Sequence, residues 1–104
     1  METFGEYIRG LREEHKMPLR KLAAFLDIDQ STLSKIERNE RHPVKEMVNK
    51  LSEVFQLDCN QLTIRFLSDK ITYELKDEEL GIEALKVAEE QIKYLRTTKA
   101  NAHG

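Results

Sequence analysis

Gln30, Ser31, Thr32, Ser34 and Lys35 crowd into one short stretch, and each carries a side chain that donates or accepts hydrogen bonds. Leu33 and Ile36 interrupt them at helical spacing, so a helix over about 30 to 38 turns those two inward and the polar set outward. A surface of that kind can enter a major groove, where amides and hydroxyls read the edges of base pairs. Cations flank it: Lys16, Arg20 and Lys21 come before, and Arg38, Arg41 and Lys45 after. Their chemistry is the neutralisation of phosphates, which sets affinity and register but carries no sequence information.

A reading helix needs a second helix to hold it. Leu22, Ala23 and Leu26 give residues of about 19 to 26 an inward face, and Ala23 falls where two short helices cross closely and side-chain volume must be small. Asp27 stands in the bend and Asn39 beyond the reading helix; Asp and Asn are among the few non-glycine residues that visit the left-handed region. Asp29 is placed to cap the reading helix. Upstream, Thr3 with Glu6 makes a capping-box pattern, and Phe4, Ile8 and Leu11 form an apolar stripe to about His15, followed by a Lys16-Met17-Pro18 turn. Downstream, a loop from Asn39 to Pro43 leads into a helix of about 44 to 55 with Val44, Met47, Val48, Leu51 and Phe55 inward. After a turn at Gln56 to Cys59, Asn60 or Asp58 caps a fifth helix reaching about Leu75.

An all-α fold agrees with the composition. A length of 104 residues with a hydrophobic fraction of 39% supports one small helical domain plus an appendage. The single cysteine, Cys59, excludes an internal disulfide framework, fits a reducing cytoplasm and reads as a small packing residue. No apolar run is long enough to predict a membrane span, and the basic-then-apolar pattern of a signal peptide is missing. His15, His42 and His103 with Cys59 show no zinc-ligand spacing and the glycines are scattered, so neither metal, cofactor nor catalysis is expected. The net charge of −2 conceals an uneven distribution: bases surround the reading helix, while acids gather at Glu13 and Glu14 and across Asp77, Glu78, Glu79, Glu83, Glu89 and Glu90.

The stretch LRKLAAFLDIDQSTLSKIER (19–38) resembles the Xre/Cro/lambda-repressor-like family of helix-turn-helix regulators, and the resemblance extends over roughly residues 4 to 62. Leu22, Ala23, Leu33, Ile36, Glu37, Arg38 and Pro43 carry it together. It implies a five-helix lambda-repressor-like DNA-binding domain, here with a C-terminal helical extension. The chain departs from the family pattern at Leu19, where a phosphate-gripping Gln is common, and at Asp27 and Asn39, where Gly is common.

Beyond about Leu67 the resemblance thins. Lys76-Asp77-Glu78-Glu79 breaks the periodicity and opens a sixth helix with acids in its first turn and Lys93, Arg96 and Lys99 near its end, an order that complements the helix dipole. Leu85, Ala88, Ile92 and Leu95 form a narrow apolar seam with Val87 and Tyr94 beside it. Ile71, Leu75 and this seam are the candidate dimerisation residues; folding back on the monomer's own core, or docking a different protein, are the other uses open to them. The expected organisation is a DNA-binding domain over 1–67, a dimerisation extension over 68–98 and a disordered tail over 99–104.

The function these readings imply is a transcriptional regulator, in the first place a repressor, that binds double-stranded DNA at a palindromic operator as a homodimer. Gln30 and Ser31 would reach base edges, the resemblance making adenine the target of the Gln30 amide. Thr32, Ser34 and Lys35 complete that face, and Arg20, Lys21, Arg38, Asn39, Arg41 and Lys45 would hold phosphates. Two alternatives stay open: a restriction-modification controller or antitoxin-type autorepressor, and a helical protein-interaction module without DNA binding.

Overall fold

The computed structural model describes residues 2–103, with side chains to residue 99. Six helices follow one another without a strand among the described residues: α1 (Phe4–Glu14), α2 (Leu19–Leu26), α3 (Gln30–Glu37), α4 (Glu46–Phe55), α5 (Cys59–Leu75) and α6 (Gly81–His103). None is long and apolar enough to cross a membrane. The chain divides into two compact units, Met1–Lys70 and Ile71–Gly104.

In the first unit, α3 packs on α1 and α2, and α2 on α4. The stripes read from the sequence converge there: Phe4, Ile8, Leu22, Ala23, Leu26, Leu33, Ile36, Met47, Val48, Leu51 and Phe55 are buried, joined by Leu62 and Phe66 from α5. Val44 is the correction. It precedes α4 and is 53% exposed: the Met47 and Val48 N–H groups bond back to the carbonyls of Val44 and Lys45, and the helix opens at Glu46, two residues later than its apolar pattern predicts.

Four helix ends close by the same device. Lys16, Asp27, Asn39 and Gln56 take positive φ of 52°, 58°, 63° and 52°, and the residue after each returns its N–H to a carbonyl of the preceding turn: Met17 to Arg12, Ile28 to Ala23, Glu40 to Lys35 and Leu57 to Ser52. This is the Schellman closure, in which an apolar residue after the left-handed position packs back on its own helix. Met17, Ile28 and Leu57 all rest against the core. None of these positions is Gly, so each carries the modest left-handed cost that Asp and Asn feel least.

Helix starts are less uniform. The Thr3 hydroxyl accepts the Glu6 N–H at 3.1 Å and donates to Asn39 Oδ1 at 2.7 Å, while the Glu6 carboxylate accepts the Asn39 amide at 3.4 Å. The capping pattern thus ties the start of α1 to the loop after α3. Asp69 of α5 reinforces that end by accepting the Phe4 N–H at 3.1 Å. Gly5 lets the helices approach, since a Cβ there would run into the Ile36 carbonyl oxygen. At α5 it is Asp58 that caps, accepting the Gln61 N–H at 3.0 Å; Asp29 precedes α3 without a side-chain cap bond.

The one charged residue buried among the described residues is Glu37, 5% exposed, and Arg12 meets it with two parallel bonds of 2.8 and 2.9 Å. The third arm of that guanidinium donates to the Met17 carbonyl at 3.1 Å. A single arginine thus joins α1, the turn after it and the end of α3. The Glu37 hydrogen bonds and charge hold the guanidinium pKa above its usual value, against the opposing effect of burial.

In the second unit, α6 begins hard against the end of α5: a Cβ on Gly81 would stand 2.7 Å from the Leu75 carbonyl oxygen. The backbone of α6 stays helical to His103, so the stretch 99–103, expected as a disordered tail, continues the helix, and residue 104 lies outside the described residues.

Two stability measurements follow from this packing. Arg12→Met should cost about 3 to 5 kcal/mol in urea unfolding, because it leaves a buried carboxylate unpaired, and adding Glu37→Leu should recover most of the loss. A double variant as unstable as Arg12→Met alone would show that the packing, not the stranded charge, is responsible. At the crossing of α2 and α3, Ala23→Leu should cost about 1 to 3 kcal/mol by overpacking. An unchanged midpoint would mean that the helices have room to spare there.

Candidate nucleic-acid interface

With Leu33 and Ile36 buried on one side of α3, the opposite side has nowhere to go but solvent. Gln30, Ser31 and Lys35 are exposed, and Thr32 and Ser34 half-buried. Their side chains make no hydrogen bond or ion pair among the described residues. Short polar side chains usually find a partner within their own helix or cap. Here the helix presents them unspent.

The rest of the predicted site divides into two kinds. Arg20, Lys21, Arg41 and Lys45 are exposed and carry no internal ion pair among the described residues. Arg38 is different: it meets Glu40 at 2.7 Å in an exposed pair, which is worth little and opens readily. Asn39 has its amide engaged with Thr3 and Glu6, so it braces the loop after α3.

Leu19, standing where a polar phosphate ligand is common in the resembling family, is half-buried and packs against the core. That turn of α2 therefore adds apolar contact where a polar grip was absent, and leaves Arg20 and Lys21 as the charges at its start. At the other end of α2 the bend opens a shallow groove lined by Ala24, Asp27, Ile28, Asp29, Thr32 and Arg41. It brings Thr32 and Arg41 together across the loop.

Three features escaped the sequence reading. Asp27 and Asp29 put an acidic notch into the basic face, beside Thr32 and Arg41; both were seen only as bend and cap residues. The Arg12 to Glu37 pair was missed although its signal was present, since Glu37 follows Leu33 and Ile36 on the inward face, where a charge needs a partner. Asp69 reaching Phe4 joins residues 65 positions apart and left no local mark.

The scaffold matches known proteins. A helix-turn-helix family profile aligns to residues 8–62. Among curated proteins of Bacillus subtilis (strain 168), the HTH-type transcriptional repressor RghR is 36% identical over 58 residues, 55% of this chain and 43% of the repressor. The uncharacterized HTH-type transcriptional regulator RghRB is 33% identical over 63 residues, 60% of this chain and 45% of that protein. The matched segment thus spans less than half the length of either relative. No solved structure matches the chain. A bend held by left-handed Asp27, a buried Ala23 at the crossing and the profile match over more than half the residues together place this chain in the Xre/Cro-like family of helix-turn-helix regulators.

Proposed function

We propose that this chain is a sequence-specific DNA-binding transcriptional regulator, a repressor by its similarity to RghR, that lays α3 into the major groove of double-stranded DNA. The observation that carries the reading is the outward face of α3: polar, slender, supported by a full core behind it, and free of internal partners among the described residues. Gln30 and Ser31 at its first turn reach base edges, with adenine as the partner of the Gln30 amide. Thr32, Ser34 and Lys35 share base and phosphate contacts. Arg20, Lys21, Arg41 and Lys45 hold phosphates on both sides, joined by Arg38 once its pair with Glu40 opens, while Asn39 sets the backbone of that loop. Such a chain works in the cytoplasm, where its operator is.

One recognition helix buries little surface, so two copies on two half-sites of a palindromic operator are the expected assembly. The second unit supplies apolar surface for pairing: Ile71, Leu85, Ile92 and Leu95 are 43%, 39%, 51% and 63% exposed, and Leu75 and Ala88 are half-buried. We assign these residues to a homodimer interface.

Binding titrations at several salt concentrations test the roles at the DNA. Gln30→Ala should weaken a selected operator by about 1 to 3 kcal/mol and leave random duplex binding nearly unchanged. Arg41→Ala should weaken both alike and lower the salt slope by about one unit. Equal losses from the two substitutions on operator and random DNA would contradict the division into base-reading and phosphate-holding residues; no binding to any duplex at low salt would overturn the reading as a whole.

Sedimentation tests the assembly. Ile92→Asp with Leu95→Asp in the full chain should give a folded monomer with steeply reduced operator affinity, because linked binding to two half-sites is lost. A chain ending at Lys70, which keeps Asp69 on the Phe4 N–H, should behave the same way. Persistence of the dimer in both variants would place the interface elsewhere.

A further inference from the structure

We propose that the two copies pair their α6 helices antiparallel, with the C-terminal end of one α6 seated in the apolar groove at the α5–α6 corner of the other; this rests on the homodimer reading above. The groove lies wholly within the second unit. Ile71, Leu75, Ile82 and Leu85 form its apolar wall over a volume of about 220 Å³, and Glu78 lines it as well. Lys76, which also lines it, lies over the Tyr73 ring at 5.6 Å.

What fits this groove is an apolar helix end that brings positive charge, and the chain carries one. The spacing of Leu85, Ala88, Ile92 and Leu95 continues to Lys99, with Arg96 alongside, so the far end of the stripe is basic. The near end is acidic: Asp77, Glu78 and Glu79 lie just before Leu80 and the start of α6. In a symmetric antiparallel pair centred near Glu90, Leu85 faces the Leu95 of the second copy and Ala88 faces its Ile92, small against large. Arg96 and Lys99 then come to the acidic turn of the other chain.

A parallel pair does the opposite. It stacks Lys99 on its own copy within the seam and one acidic turn on the other, and like charges set opposite each other at an interface are unfavourable. Glu89 lies near the centre of either pairing, with Lys93 at 3.2 Å on its own helix, and does not decide between them. Antiparallel helices also oppose their dipoles. Charge and volume therefore select the same orientation, and the occupant they describe is a second copy of this chain.

Cross-linking in the full-length chain reads the orientation. In a Cys59→Ser background, which removes the native thiol, Leu85→Cys and Leu95→Cys are made separately and oxidised alone and as an equilibrated mixture. The expected result is covalent dimer mainly in the mixture, joined between positions 85 and 95. Dimer formed by each variant alone with no gain on mixing would overturn the antiparallel arrangement and leave the homodimer standing, whereas a monomeric Cys59→Ser chain in sedimentation would overturn both. As a check that does not depend on introduced thiols, Arg96→Glu with Lys99→Glu should weaken dimerisation by about tenfold or more, and adding Glu78→Lys with Glu79→Lys should restore it. A dimer dissociation constant that ignores the first pair of substitutions would overturn the proposed seating.

Discussion

A carboxylate taken out of water must be matched by a positive charge in close and well-directed contact, and the position of Glu37 makes this the constraint on which the first unit turns. It sits one residue past Ile36, at the point where α3 must stop burying apolar surface and release the chain into a loop. Arg12 answers with two bonds to the carboxylate and one to the Met17 carbonyl. One side chain thereby ties α1, the turn into α2 and the end of α3 together, alongside the Thr3 and Glu6 contacts to Asn39 and the close approach at Gly5. An apolar pair of similar volume would hold the helices together as firmly; the fork adds direction, since each of its three bonds needs its partner in place. Directed bonds of this kind hold the outward face of α3, Gln30 and Ser31 included, in one position over the core.

The short helices pose a second problem, which the closures solve. Helices of 8 residues, as α2 and α3 are, have no intrinsic stability in water and exist because of what they pack against. Ending them with a left-handed residue satisfies carbonyls that would otherwise be stranded near the core, and it directs the next apolar residue inward. Ile28 does this between α2 and α3, so the bend of the motif is itself part of the core boundary. Asp27 serves the bend through its backbone, and its side chain consequently projects into the groove beside Thr32 and Arg41. The acidic notch in the basic face is a by-product of using Asp in place of Gly at that bend.

Most of the first unit was legible because its determinants are local. Apolar spacing located α1 to α4 and nearly all of their inward residues, α5 was placed by its cap without its inward Leu62 and Phe66, and the left-handed tolerance of Asp and Asn located two of the closures. Lys16 and Gln56 adopt the same conformation without that tolerance; their identity gave no signal, and only the packing of Met17 and Leu57 explains it. Val44 was misread because it keeps the apolar period of α4 by chance, while the turn bonds that start the helix depend on backbone geometry that side-chain type does not encode. The outward face of α3 was legible as a set of exposed or half-buried residue types. Which of the residues around it were already engaged was not: Arg38 and Asn39 look from the sequence as available as Arg41, and differ from it only through Glu40, Thr3 and Glu6.

The net charge, which counts against a DNA-binding chain, is resolved by the same distinction between residues that are engaged and residues that are not. Residues 1–70 hold 12 acidic and 12 basic side chains, so the first unit is formally neutral. Several of its acids are engaged internally: Glu37 with Arg12, Asp58 and Asp69 with backbone N–H groups, and Glu6 with Asn39, while Glu13 with Arg9 and Glu40 with Arg38 form weaker, exposed pairs. The cations around α3 are spared. Arg20, Lys21, Lys35, Arg41 and Lys45 are exposed and carry no internal ion pair among the described residues. Acids held at short range by hydrogen-bond donors project little field outward, while unpaired cations on one face project theirs in full. The surplus of negative charge belongs to the second unit, which is acidic at the start of α6 and basic toward its end, so it adds nothing to the face around α3.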